Sequence, residues 1–182
     1  MSFIQNIRFS LSEMRLRKLA ESNSRKKIFV NYEDAKSLAI IFDATPDGNL
    51  ESVKKLVAAW KERKKTVKAI GFFDQKFTPV NFSYAKADFD FFNLKELNPL
   101  HFPSSPYIRT FADEPYDLLL DLNLHNKFPL RSIAILSRAS CKVGINTREN
   151  LEIHDLLIAA AKDATVASFI SEAERCLRMI NR

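Results

Sequence analysis

Residues 38–74, LAIIFDATPDGNLESVKKLVAAWKERKKTVKAIGFFD, hold the pattern that decides the fold. Leu38-Ala39-Ile40-Ile41-Phe42 is an unbroken apolar run, closed by the turn-forming residues Asp43-Ala44-Thr45-Pro46-Asp47-Gly48. From about Leu50 to Lys65 the period changes. Val53, Leu56, Val57 and Trp60 recur at helical spacing on one face, and Lys54, Lys55, Lys61, Lys64 and Lys65 cover the rest. A second apolar run, Val67–Phe73, then ends at Asp74. Strands apolar on both faces, joined by an amphipathic helix, belong to a parallel sheet covered by helices on its two sides.

The pattern continues toward the C-terminus. Asp88–Phe92 reads as a short third strand and residues 93–97 as a helical turn, before a surface loop marked by Pro99, Pro103 and Pro106. A short helix near Ile108–Asp113 leads to a fourth strand, Tyr116–Leu122. Pro129 occupies the expected first position of a helix that continues to Ala139. Cys141–Ile145 is a fifth strand, His154–Ala160 a sixth, and Thr165–Asn181 a closing helix. The fold class expected is α/β: a doubly wound, mainly parallel, Rossmann-like sheet of five or six strands. Right-handed crossovers favour the order 3-2-1-4-5-6 or a shortened variant of it.

Toward the N-terminus, residues 2–22 read as a basic amphipathic helix. Ile4, Ile7, Leu11 and Met14 form its apolar stripe, expected to be covered by the chain's own body first and by a partner or membrane surface second, with Arg8, Arg15 and Lys18 on other faces. Arg25-Lys26-Lys27 follows. We therefore divide the chain into residues 1–30, a helix and linker, and residues 31–182, a single Rossmann-like domain.

Charge is distributed unevenly. The net charge is +6, yet residues 1–30 and 51–68 each carry seven Lys/Arg against two acids, which leaves the remainder near −4. Two helices hold the positive charge over a mildly acidic body. With 46% hydrophobic and 27% charged residues, the composition is that of an ordinary globular chain. Cys141 and Cys176 have neither redox nor metal spacing, and no run is long and apolar enough for a signal peptide or a membrane span. Cytoplasm is the expected compartment.

Tyr116–Asn123 (YDLLLDLN), Phe128–Ala134 (FPLRSIA) and Lys142-Val143-Gly144 resemble an uncharacterised family of small bacterial α/β proteins, a domain of unknown function. There a run of the form FDLLIDL, then FPLxYIAxLSxAxxKVG, recurs. FVNYEDAKSLAIIFDAT (residues 29–45) and the closing LRMINR extend the resemblance to nearly the whole chain. It implies a fold and no catalytic residues. The same strand-helix-strand is more distantly similar to the N-terminal Rossmann-like domain of heptosyltransferase-type glycosyltransferases, where a DLVIDLQ strand precedes a helix and a strand ending in RIG. Those enzymes hold the sugar nucleotide mainly through a second such domain, and this chain has room for one.

Ligands of doubly wound sheets bind beyond the carboxyl ends of the strands. That edge collects Asp43 and Thr45 after strand 1, Asp74 after strand 2, and Asp121, Asn123 and His125 after strand 4. Carboxylates and an imidazole there could serve acid-base work or hold a cation. The same residues also cap helices and end strands. Gly48 stands alone in the first loop, so no phosphate-cradling glycine motif is present and no cofactor is expected. Histidine spacing does not favour a metal.

The basic helices supply the other candidates: Arg8, Arg15, Arg17, Lys18, Arg25, Lys26 and Lys27, then Lys54, Lys55, Lys61, Arg63, Lys64 and Lys65. They suit salt-sensitive contact with phosphates of RNA or a ribonucleoprotein. An anionic membrane, a protein partner or a homodimer through the N-terminal helix are further options. Aromatic residues interleaved with these cations on a surface are not expected, since the aromatics fall in strands. The sequence thus supports a non-enzymatic binding or adaptor module, with a transferase-like enzyme or degenerate glycosyltransferase half as the alternative.

Overall fold

Strand β1 (Ser37–Asp43) is buried at every position from Leu38 onward, which is possible only for a central strand covered on both faces. The structure, a computed structural model, describes residues 3–46, 48–78 and 87–180, with side chains from residue 7. Helix α1 (Phe3–Ser22) precedes β1. After it come α2 (Asn49–Glu62), β2 (Thr66–Phe73), β3 (Phe89–Asn93), α3 (Pro106–Asp113), β4 (Leu118–Leu122), α4 (Phe128–Leu136), β5 (Cys141–Ile145), β6 (Leu156–Ile158) and α5 (Val166–Arg178).

The six strands form one parallel sheet in the order β3-β2-β1-β4-β5-β6, the order favoured from the sequence. Alternate residues of β1 feed two separate cores. Leu38, Ile40 and Phe42 pack with Val53, Leu56, Val57 and Trp60 of α2 and with Phe169, Ala173 and Leu177 of α5. Ala39 and Ile41 pack on the other side with Leu16 of α1, Ile108 and Phe111 of α3, and Leu130 and Ile133 of α4. The fold is therefore α/β and doubly wound. Each fully buried Ile, Leu or Phe contributes roughly 1.5–3 kcal/mol, so the two apolar layers dominate the stability.

Local chemistry sets the ends of elements. Gly48 starts α2 in a left-handed turn (φ 90°), a conformation open to glycine. The same helix stops at Glu62, short of the expected Lys65, because Lys64 itself turns left-handed (φ 56°) and donates its N–H to the Lys61 carbonyl. Helix α4 ends at Leu136 instead of Ala139, where Ser137 becomes extended. Thr165 caps α5 by accepting the Ser168 N–H, while the Ser168 side chain accepts the Thr165 N–H.

The stripe expected on α1 requires correction. Its docked face is Ser12, Leu16 and Leu19, one third of a turn and more from Ile7, Leu11 and Met14. Ser12 is fully buried and donates its hydroxyl to the Arg8 and Leu100 carbonyls. Ile7, Leu11 and Met14 remain 45%, 46% and 52% exposed. Two cores need closing, and the shorter, more polar stripe is the one that fits over α4.

A strap after α1 fixes it to the body. Asn23 donates to the carbonyls of Ile135 and Ser137, and Arg25 to those of Ala139 and Ser140. Arg25 also forms a two-bond ion pair with Asp155 at 2.7 and 2.8 Å, both side chains nearly buried. Beside it Lys142 is buried, its ammonium donating to the Ala134 and Ile135 carbonyls at the end of α4. Burial first, then the Arg25 charge, pushes the Lys142 amine down to about 7.

A lysine whose folded value lies below its unfolded one binds fewer protons when folded, so stability rises with pH between the two values. Chemical denaturation should show stability increasing from about pH 7 toward about pH 9, where the buried, raised Cys141 thiol begins to count the other way, with a slope on the order of 1 kcal/mol per pH unit at most. In Lys142→Met the slope should flatten over that window. An unchanged slope would mean that Lys142 titrates normally.

Candidate functional site

Beyond the carboxyl ends of β1, β2 and β4, the carboxylates expected at the edge do come together, and the fold itself holds them. Asp43, the last residue of β1, accepts the Thr45 N–H at 3.0 Å with one oxygen and the Lys127 ammonium at 2.8 Å with the other. Lys127 also reaches Asp74 beyond β2, at 3.0 Å. Burial opposes the Lys127 charge, but hydrogen bonds to Asp43 and Asp74 outweigh it and raise its pKa. Thr45 accepts the Asp74 N–H through its hydroxyl, at 2.8 Å. One lysine in the β4–α4 loop therefore ties three neighbouring strand ends. Sequence reading missed it because it lies 53 residues or more from its partners.

Asn123 closes that loop, its side chain bonded to both the N–H and the carbonyl of Lys127. This local geometry is what presents the lysine. His125, within the same loop, is exposed. The imidazole of the cluster is instead His154, buried, with Nε2 3.0 Å from Asp121 and Nδ1 facing the Asn150 carbonyl. Asp121 also accepts the Asn123 N–H at 3.0 Å.

The sequence held one usable signal for that pair, Gly144. A Cβ at this position would lie 2.6 Å from His154 Nε2, so the bare glycine on β5 is the seat of the ring. Both Asp43 and Asp121 are thus buried acceptors with their donors in place, the arrangement of strand-end anchors. Among the described residues no group of three or more His, Cys, Asp or Glu is placed to share a metal ion.

The basic candidates divide in two. On α2, Lys54 pairs with Glu51 and Lys61 with Asp88, each at 2.5 Å, and Arg63 pairs with Glu33. Lys65 donates to the carbonyls of Tyr32 and Glu33 and lies over the Trp60 ring. Only Lys55 and Lys64 of that set stand exposed and outside these pairs. Arg25 leaves the candidate set altogether, pinned in the strap as described. Lys27 is exposed, 3.9 Å from Asp155.

On α1 the outer face is different. Arg8 and Arg15 are exposed along one side of the uncovered Ile7, Leu11 and Met14, and exposed Lys18 stands in line with them. Exposed Glu21, two turns past Met14, closes that face at its C-terminal end, while Glu13 lies on another side, so the face is aliphatic and mainly cationic. Exposed Phe29 follows Lys26 and Lys27, and exposed Phe9 leans edge-on against Phe128. Phe9 thus belongs to the docked side, while Phe29 stands exposed beside cations, against expectation, because the stretch Ile28-Phe29-Val30 forms no strand. Among the described residues no helix is long and apolar enough to cross a membrane.

Residues 8–180 match the model of a family of unknown function (DUF6913), and the chain belongs to that family. No curated protein and no solved structure is detectably similar. The family carries over no catalytic residue, so the chemistry rests on the geometry above.

That geometry makes Gly144→Ala a sharp test of the edge. Urea denaturation should show a loss of roughly 1–3 kcal/mol from the clash with the His154 ring. In a His154→Ala background the same substitution should cost less than about 1 kcal/mol, since the two are in contact. Equal costs in both backgrounds would disprove the seating of the ring.

Proposed function

We propose that this protein is a non-enzymatic binding or adaptor module that docks the outer face of α1 on a ribonucleoprotein in the cytoplasm. The observation that carries the reading is the uncovered face of Ile7, Leu11 and Met14 beside Arg8, Arg15 and Lys18. Cations alone would suit bare RNA. An aliphatic row gains nothing from phosphates, whereas a ribonucleoprotein offers apolar protein grooves beside them. Burying the exposed remainder of three such side chains contributes on the order of 3 kcal/mol, about two decades in affinity. Lys26, Lys27 and Phe29 lie on the chain that leaves the same helix and extend the basic surface with an aromatic able to stack on a base. Two free cysteines suit a reducing compartment.

The transferase-like alternative, drawn from the glycosyltransferase resemblance, would use Asp43, Asp74, Asp121 and His125. It would require two buried carboxylates to release the donors that satisfy them, at a cost of several kcal/mol. For that reason we favour binding over catalysis.

Deleting residues 1–27 is a poor test, because Leu16, Asn23 and Arg25 belong to the body. Leu11→Glu and the double substitution Arg8→Glu, Arg15→Glu change only exposed positions. In density gradients of cell lysate at low salt, the wild-type protein should travel with ribonucleoprotein fractions and shift to the top after ribonuclease. Each variant should lower that association about tenfold or more, with thermal stability unchanged. Wild-type protein that stays at the top of the gradient, or that binds vesicles of anionic lipid with the same sensitivity to Leu11→Glu, would overturn the reading.

A further inference from the structure

A groove of about 710 Å³ runs between α1, α4 and the segment 148–153, on the opposite side of α1 from its cationic stripe. Its volume falls within the range of sites for small molecules, about 300–1,000 Å³. Leu16, Ile135 and Ile153 line it with apolar surface and are themselves buried.

The charges around this floor are Arg17, Arg131 and Arg148 with Glu13, Glu21, Glu149 and Glu152, and among the described residues Glu13–Arg131 is the one ion pair they form with each other. Arg131 of α4 is a buried guanidinium with one carboxylate partner, Glu13 of α1, and its Nε is buried with no hydrogen-bond partner. A guanidinium has five N–H donors, so a buried one with a single carboxylate has capacity left for a second oxygen ligand. Arg148 and Glu152 also line the groove, both exposed and in no ion pair. Arg148 and Glu152 face the same apolar-floored space with no ion pair between them, and Glu149 lies beside Arg148 on the rim.

We propose that this groove binds a zwitterionic amino acid or short peptide with an apolar side chain. Its carboxylate faces Arg131 and Arg148, its ammonium faces Glu152, and its side chain lies on Leu16, Ile135 and Ile153. Planar guanidinium groups favour carboxylates through paired hydrogen bonds, which gives the orientation. Neither sign of charge alone would satisfy the lining, and that selects against a simple anion. The site is separate from the outer face of α1 and does not depend on the docking reading.

The test is methyl-detected NMR titration of the full chain with the dipeptide leucyl-leucine. Saturable shifts are expected at the Ile135 and Ile153 methyls. N-acetyl-leucyl-leucine and leucyl-leucine amide should bind about tenfold weaker or worse, each having lost one charge. Arg148→Ala and Glu152→Ala replace exposed side chains, so they keep the fold while Arg131 stays untouched. Arg148→Ala should reduce the discrimination against the amide, and Glu152→Ala that against the acetylated form. No saturable shift at either methyl, or equal binding of the three peptides, would overturn the proposal.

Discussion

The structure depends on one constraint: a parallel sheet whose central strand is apolar at every position must be shielded on both sides at once. Leu38 to Phe42 send alternate side chains into two cores, and each core needs its own helices. Helices α2 and α5 close one side. On the other, α3 and α4 are only eight and nine residues long, and α1 completes the cover with Ser12, Leu16 and Leu19. The N-terminal helix is therefore part of the second layer, which is why a strap with buried ionic chemistry secures it. Covering with few apolar residues leaves the rest of that helix free for another use.

Fold and order were legible from residues 38–73 because two periodicities, continuous and helical, alternate there without ambiguity. The six strands fall where the apolar runs place them, with ends moved by two residues at most. Helix ends were less legible, since Lys64 and Ser137 stop their helices through backbone conformation and neither is a glycine or proline. The face of α1 was misread for a different reason. Hydrophobicity ranks Ile7, Leu11 and Met14 above Ser12, but a serine that donates to carbonyls 4 and 88 residues away can be buried without penalty.

The edge was half legible. Asp43, Asp74 and Asp121 were picked out because strand ends in this fold converge, a rule of topology. Lys127 and His154 were not, since pairing between residues 33 to 84 positions apart leaves no local pattern. Composition misled on His125, which is near Asp121 in the chain and exposed in space. The charge count on α2 misled likewise. Seven cations within residues 51–68 look like a binding surface until Glu51, Asp88 and Glu33 are seen beside them. Each such exposed pair adds little stability, near 0–1 kcal/mol, yet it lowers the field a distant phosphate would feel.

The strap at residues 23–28 has a mechanical consequence. Asn23, Arg25 and the Ile28 N–H fasten the chain to the end of α4 and the start of β5, and Arg25 grips Asp155 just before β6. A pull on α1 is therefore not absorbed by a slack tether. It arrives at the β5–β6 margin of the sheet, where β6 is only three residues long. The helix is a rigid handle, and a load on it is felt first at the weakest rung of the ladder.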